Sequence, residues 1–137
     1  MIFLDTNVVS ETLKRTPDPT VTSWLGRFDV ELALSTVAIA EVAYGIEKIR
    51  PDQRSQRLER GLAEIRRHFA DRIYPFTEQA ALLYGVLMGE RTRSGRPMSV
   101  PDAMIAAIAK THGARLATRN LGDFEGAGLE LVSPWAR

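Results

Sequence analysis

The sequence contains no cysteine, which excludes disulfide bonds, zinc sites built from thiolates and cysteine nucleophiles. It also lacks an uncharged apolar stretch of the roughly 18 residues that a membrane-spanning helix needs. Its first residues place Asp5 where a secretion signal needs a longer apolar run. We therefore expect a soluble protein of the cytoplasm with no membrane segment.

A strong net charge is also missing, and the value of +1 is too small to indicate nucleic-acid binding by itself. The distribution of charge is more informative. The arginines between residues 50 and 72 are interleaved with acids, which is typical of a solvated helix face. A second group, Arg91, Arg93 and Arg96, has fewer acids beside it and precedes the Pro101-Asp102 turn. Either this group is another solvated face or it contacts phosphates, and we predict phosphate contact.

The apolar pattern alternates between strands and helices. A length of 137 residues with 45% hydrophobic residues predicts one domain over residues 1–137. Short apolar runs predict strands at residues 2–4, 31–34, 72–76, 115–118 and 129–132. Helical periodicity and capping residues predict helices at residues 8–14, 20–28, 36–49, 54–69, 78–92 and 101–111. This order predicts an α/β fold in which helices cover both faces of a parallel sheet.

Three acids stand in apolar surroundings. Asp5 follows a predicted strand, at the sheet edge where open α/β folds bind ligands. Glu41 is the only charged residue between Thr36 and Ile46 in a helix that looks apolar on all sides, and Asp102 begins a helix that is uncharged until Lys110. Asp5 and Asp102 have an alternative interpretation as helix-capping or first-turn acids. Glu41 is harder to explain in that way, because an unpartnered buried charge costs several kcal/mol.

These acids predict a metal site if the fold brings them together. Their mutual repulsion would then raise at least one pKa or require a cation. Carboxylate oxygens favour Mg²⁺ or Mn²⁺ over zinc, and both histidines, His68 and His112, are interpreted as surface residues. Asn120 and Asp123 follow a predicted strand, where they either complete the site or form an Asx-type turn.

Four segments together resemble the PIN-domain nucleases, in particular the VapC-type toxins of type II toxin-antitoxin systems and their FitB-like branch. The resemblance extends over nearly the whole chain. The segments are Phe3-Leu4-Asp5-Thr6-Asn7-Val8, the run from Ser35 to Gly45 around Glu41, Pro101-Asp102-Ala103-Met104-Ile105-Ala106-Ala107, and the run from Ala117 to Phe124.

The resemblance implies a three-layer α/β/α sandwich with a short parallel sheet and an acidic pocket that binds Mg²⁺, or Mn²⁺ as a substitute. By residue matching, Asp5, Glu41 and Asp102 take the places of the core acids. Thr6 matches a hydroxyl residue beside the site, and Asn120 with Asp123 matches its variable fourth corner. Asn120 stands where many relatives have an aspartate, which disfavours a stable second metal ion unless Asp123 takes the place of that aspartate.

The resemblance also implies the partners and the reaction. The partners are a cognate antitoxin that occupies the pocket, a second copy in a homodimer, and tRNA or ribosomal RNA as substrate. Our mechanistic hypothesis is phosphodiester hydrolysis by a metal-activated water, with Asp5 and Asp102 as the main ligands and Asp123 as a further catalytic acid. Glu41 would bind metal through water or act as general base, and Arg91, Arg93 and Arg96 would contact the RNA backbone.

Two alternative functions remain open at this point. One is a catalytically silent binding module that uses the pocket only to hold a partner. The other is a phosphatase with Asp5 as nucleophile. The phosphatase is the weaker alternative, because Asn7 stands where such enzymes carry a second aspartate.

Overall fold

Five short strands form one parallel sheet in a computed structural model that describes residues 1–135. They are β1 (Ile2–Leu4), β2 (Leu32–Ser35), β3 (Ile73–Tyr74), β4 (Arg115–Ala117) and β5 (Leu131–Val132). Their order in space is β3-β2-β1-β4-β5, and every neighbouring pair is parallel. The chain therefore builds outward in both directions from β1, and this switch point is where open α/β sheets place ligands.

The helices lie between these strands, close to the predicted positions. They are α1 (Thr6–Thr12), α2 (Pro19–Phe28), α3 (Thr36–Lys48), α4 (Arg54–His68), α5 (Glu78–Arg93), α6 (Val100–Thr111) and α7 (Leu121–Phe124), with a 3-10 turn at Asp29–Glu31. Side chains of Ser35, Thr77 and Ser99 accept hydrogen bonds from backbone N–H groups and cap α3, α5 and α6. Such caps satisfy donors that the first helical turn leaves free.

Alternation along each strand divides the core into two layers. In β1, Phe3 packs into a cluster with α5 and α6, while Ile2 and Leu4 pack on the other face with α1, α2 and α4. Leu116 and Ala117 divide between the two clusters in the same way, because successive side chains of a strand point to opposite faces. This arrangement confirms the predicted sheet with helices on both faces. Within residues 1–135, no helix is long and apolar enough to cross a membrane.

The structure corrects two local predictions. The segment after β4 contains the short helix α7, where no helix was predicted. Helix α3, predicted to be buried on all sides, buries Ala38, Val42 and Ile46 but leaves Tyr44 66% exposed. Its apolar residues therefore lie both on a face packed in the core and on a face exposed to solvent.

Candidate active site

The pairing of β1 with β4 determines the position of Asp5. Leu4 pairs with Ala117, so the next residues, Asp5 and Thr118, leave the sheet side by side. Asp5 is only 3% exposed. Its Oδ1 accepts a hydrogen bond from the Thr6 N–H (2.8 Å), and its Oδ2 accepts one from the Thr118 hydroxyl (2.7 Å). Asp5 is thus the N-cap of α1, as the alternative interpretation predicted, and it also faces the sheet edge.

Glu41 and Asp102 reach the same place from two other helices. The Thr6 hydroxyl donates to Glu41 Oε1 and so joins α3 to the start of α1. The Asp102 N–H donates to Ser99 Oγ (3.3 Å), which fixes the first turn of α6. Asp5, Glu41 and Asp102, together with Thr6 and Asn120, line one open cavity of about 410 Å³, which we call the acidic cavity.

Burial and mutual repulsion change the acidity of this cavity. The pKa of Asp5 is raised to about 6, chiefly because burial removes the carboxylate from water and in smaller part because Asp102 and Glu41 repel it, while the hydrogen bonds from Thr118 and Thr6 limit the rise. Burial also raises the pKa of Asp102, with added repulsion from Asp123 and Glu41. Carboxylates that resist ionisation without a counter-charge are typical of functional sites.

The donors of the acidic cavity fit a hard divalent cation. They are carboxylate and amide oxygens, the ligands that Mg²⁺ and Mn²⁺ prefer. Within residues 1–135, no three histidine, aspartate or glutamate side chains are already arranged as a metal site. Thr6 and Thr118 hold Glu41 and Asp5 through one hydrogen bond each, which leaves other lone pairs of both carboxylates for a cation.

The raised pKa of Asp5 leads to a stability prediction. In metal-free protein at about pH 8 we expect Asp5→Asn to raise the free energy of unfolding by about 1 to 2 kcal/mol. The wild-type carboxylate is ionised there at a cost, since its folded pKa is about 6 against an ordinary 3.8. Asparagine removes the charge but loses one acceptor. Urea unfolding in EDTA measures the difference.

The pH dependence separates this electrostatic effect from a packing effect. An acid whose pKa is raised by folding does not destabilise the protein at low pH, where it is protonated in both states. The protein loses stability as the pH rises from the unfolded pKa through the folded pKa. The advantage of Asp5→Asn should therefore grow between about pH 4 and pH 6 and then level off. An advantage that is equal at pH 4 and pH 8 would refute the electrostatic explanation.

The structure distributes the other predicted residues over two depressions. Asn120 lines the acidic cavity, and its N–H donates to Thr118 Oγ1 (3.0 Å). Asp123 lies instead in a neighbouring depression of about 320 Å³, which Asp102 also lines. Arg96 lines that depression too, whereas Arg93 is exposed on α5 and lines neither space.

The contacts of Arg91 favour a structural role over the predicted contact with RNA. Arg91 is only 8% exposed, and its guanidinium donates to the carbonyl oxygens of Arg96 (2.7 Å), Glu125 (2.9 Å) and Asp123 (3.4 Å). It therefore joins the end of α5 to the segment around α7. Each of its three nitrogen atoms already donates to a carbonyl oxygen within the protein.

Several residues in or directly behind the cavity were not assigned to the site from the sequence. Thr118 is fully buried and holds Asp5, and Asn7 accepts a hydrogen bond from the Arg119 N–H (3.3 Å). Glu11 and Lys14 line the cavity from the end of α1. For Thr118 the available signal was its place directly after a strand that neighbours β1, while Glu11 and Lys14 look like an ordinary solvated face.

Comparison with known proteins places this geometry in a family. Residues 2–127 match the PIN domain. The VapC ribonuclease Y4jK of Sinorhizobium fredii is 37% identical, with 98% of each chain covered. The tRNA(fMet)-specific endonuclease VapC of Shigella flexneri is 34% identical over 98% of this chain and 97% of its own.

A solved structure agrees in fold over the full length. The crystal structure of FitAcB from Neisseria gonorrhoeae contains a chain that superposes with a TM-score of 0.90 at 34% identity, with both chains covered completely. The predicted sandwich with a short parallel sheet is therefore confirmed as the PIN fold. The sheet order and the site at its switch point agree with the match over residues 2–127 and with these relatives. The chain therefore belongs to the PIN-domain family, among the proteins of VapC and FitB type.

Proposed function

We propose that this protein is an endoribonuclease that hydrolyses RNA phosphodiester bonds with the help of Mg²⁺ or Mn²⁺, and that it is the toxin of a toxin-antitoxin pair. The observation that carries the proposal is that Asp5, Glu41 and Asp102, from separate parts of the chain, line one cavity at the switch point of the sheet. A cavity of partly desolvated carboxylates repels a phosphate unless a cation is present. The cation requirement follows from this charge.

The proposed roles of the residues follow from their contacts. Asp5 and Asp102 would hold the cation, which when bound neutralises phosphate charge and lowers the pKa of water. Glu41 is half-buried and accepts a hydrogen bond from Thr6, so it is oriented to accept a proton from the attacking water. Thr118 orients Asp5. Asp123 would act through Asp102, because it lies in the adjoining depression.

The names of the relatives support the proposed partners. One is named a tRNA(fMet)-specific endonuclease, and we propose tRNA or ribosomal RNA as the substrate class, encountered in the cytoplasm. A chain of 25% identity and TM-score 0.73 belongs to a toxin-antitoxin complex from Klebsiella pneumoniae, and we propose a cognate antitoxin for this chain. We propose a homodimer as well, in which the exposed apolar side chains Tyr44 on α3 and Leu82 and Val86 on α5 would be covered.

The test compares two glutamates of α3. In Mn²⁺ we expect Glu41→Gln to cut single-stranded RNA about 100-fold more slowly than wild type, because glutamine cannot accept the proton. Glu47→Gln is the matched control, since Glu47 is exposed and contacts only Arg50 (2.8 Å) among residues 1–135. The control should cut at the wild-type rate, and EDTA should stop all cutting.

The outcomes also separate the alternative functions. Wild-type protein that binds Mn²⁺ and RNA without cutting would support the silent binding module. Trapping of a phosphate ester on Asp5 would support the phosphatase. Equal rates for Glu41→Gln and Glu47→Gln would remove Glu41 from the proposed chemistry.

A further inference from the structure

A third depression, lined mainly by basic side chains, lies beside the acidic cavity. Its volume is about 350 Å³, and we call it the basic depression. Its charged lining residues are Lys14, Arg15, Arg57, Arg60 and Glu64. Four cations therefore face one acid, although the whole chain carries a net charge of only +1.

The two depressions adjoin at Lys14, which lines both. Ser10 and Glu11 line the acidic cavity, and the next two residues of the chain line the basic depression. The Lys14 ammonium lies 2.9 Å from Glu11 Oε1, while its side chain remains 56% exposed. Glu11 is 4% exposed and its Oε2 also accepts the Asp18 N–H (2.9 Å). Buried Glu11 therefore holds a partly exposed cation at the boundary.

The cations of the basic depression differ from the other arginines nearby. Arg57 donates to the Leu13 carbonyl oxygen (2.7 Å), which fixes its guanidinium at the rim. Arg15 and Arg60 are exposed, and their side chains make no hydrogen bond or ion pair with any residue of the described range 1–135. By contrast, Arg50 and Arg54 are paired with acids. These two unpaired cations line the same depression as Lys14 and Arg57, and like charges in one depression repel one another unless an anion joins them.

We propose that the basic depression binds backbone phosphates of the RNA strand that flank the bond cut in the acidic cavity. The inference rests on the proposed function, since it takes RNA as the ligand and the acids as the place of cutting. A strand that crosses Lys14 meets cations immediately beside the carboxylates, which offsets the repulsion of its phosphates by Asp5, Glu41 and Asp102. Phosphate contacts position a strand without reading it, so this surface contributes affinity and register.

The test measures RNA binding without cutting. A fluorescein-labelled single-stranded RNA of mixed sequence is titrated in EDTA at salt concentrations between about 50 and 200 mM. We expect the triple variant Lys14→Ala/Arg15→Ala/Arg60→Ala to bind at least about tenfold more weakly, with the salt slope smaller by about 2, or roughly 0.7 per lost phosphate contact. The double variant Arg15→Ala/Arg60→Ala leaves the Lys14–Glu11 pair intact and should lose about 1.4 of the slope.

A matched control removes the same charge elsewhere. The variant Lys48→Ala/Arg66→Ala/Arg67→Ala changes three exposed cations of α3 and α4 that do not line the basic depression, and it should keep the wild-type slope within about 0.5. Equal losses in both triple variants, or no loss in either, would overturn the inference. A parallel cleavage assay in Mn²⁺ keeps the two proposals separate. If wild type binds RNA through the basic depression but never cuts it, the nuclease proposal fails and the binding surface stands. If wild type cuts RNA but the variants keep the wild-type salt slope, the nuclease proposal stands and the binding surface is refuted.

Discussion

Asp5→Asn should slow RNA cleavage in Mn²⁺ by about three orders of magnitude, because a loss of several kcal/mol of electrostatic stabilisation corresponds to that factor. Asp5 is the most buried acid of the cavity and the one whose pKa the surroundings raise to about 6. Asparagine fills the same volume and can still accept the Thr6 N–H. The loss would therefore report the missing charge and not a collapsed site.

Stability measurements make this prediction sharper. The same variant should be more stable than wild type in EDTA, so loss of activity and gain of stability should occur together. Asp71→Asn serves as the control, because Asp71 is exposed and contacts only Arg72 (3.4 Å) within the described residues. If Asp5→Asn cut RNA at the wild-type rate, Asp5 would have no role in the reaction, whatever effect the substitution had on stability.

Arg91→Ala should lower the free energy of unfolding by about 3 kcal/mol, because it removes a largely buried side chain and the charged donor of three carbonyl groups. The guanidinium of Arg91 bonds the carbonyls of Arg96, Glu125 and Asp123, and alanine replaces none of these bonds. Urea unfolding at neutral pH measures the loss. The control is Arg93→Ala, two residues further along α5 and exposed, which we expect to change stability by less than about 0.5 kcal/mol.

RNA binding distinguishes this structural role from the one the sequence predicted. At a temperature where Arg91→Ala is folded, its RNA affinity should depend on salt as in wild type. A smaller salt slope together with unchanged stability would instead mean that Arg91 contacts phosphate.

The fold could be predicted largely from local signals. Short apolar runs end at polar residues, and Ser35, Thr77 and Ser99 begin helices by capping them. Apolar runs and capping residues each determine structure over only a few neighbouring positions, so they can be recognised in the sequence alone. The alternation of strands and helices then leaves few possible connections for a parallel sheet. Helix α7 escaped prediction because its four residues are too few to show a periodicity.

The site could be predicted only in part, because its details depend on tertiary contacts. Asp5, Glu41 and Asp102 drew notice as acids in apolar segments, yet their shared cavity depends on the sheet order. Glu11 is buried and accepts a hydrogen bond from the Asp18 N–H, and no local sequence pattern predicts this contact. Arg91 offered a signal that was not used: it follows buried Leu87 by four residues, and such residues share one helix face.

The most direct test of a single cation site is calorimetric titration of Mn²⁺ into the RNA-free protein near neutral pH. We expect wild type to take up Mn²⁺, with affinity falling as pH drops below about 6 because protons compete for Asp5. Asp5→Asn and Asp102→Asn should each abolish the uptake, while Asp71→Asn should leave it unchanged. No uptake by wild type, or equal uptake by all four proteins, would contradict the proposal that these carboxylates bind one cation.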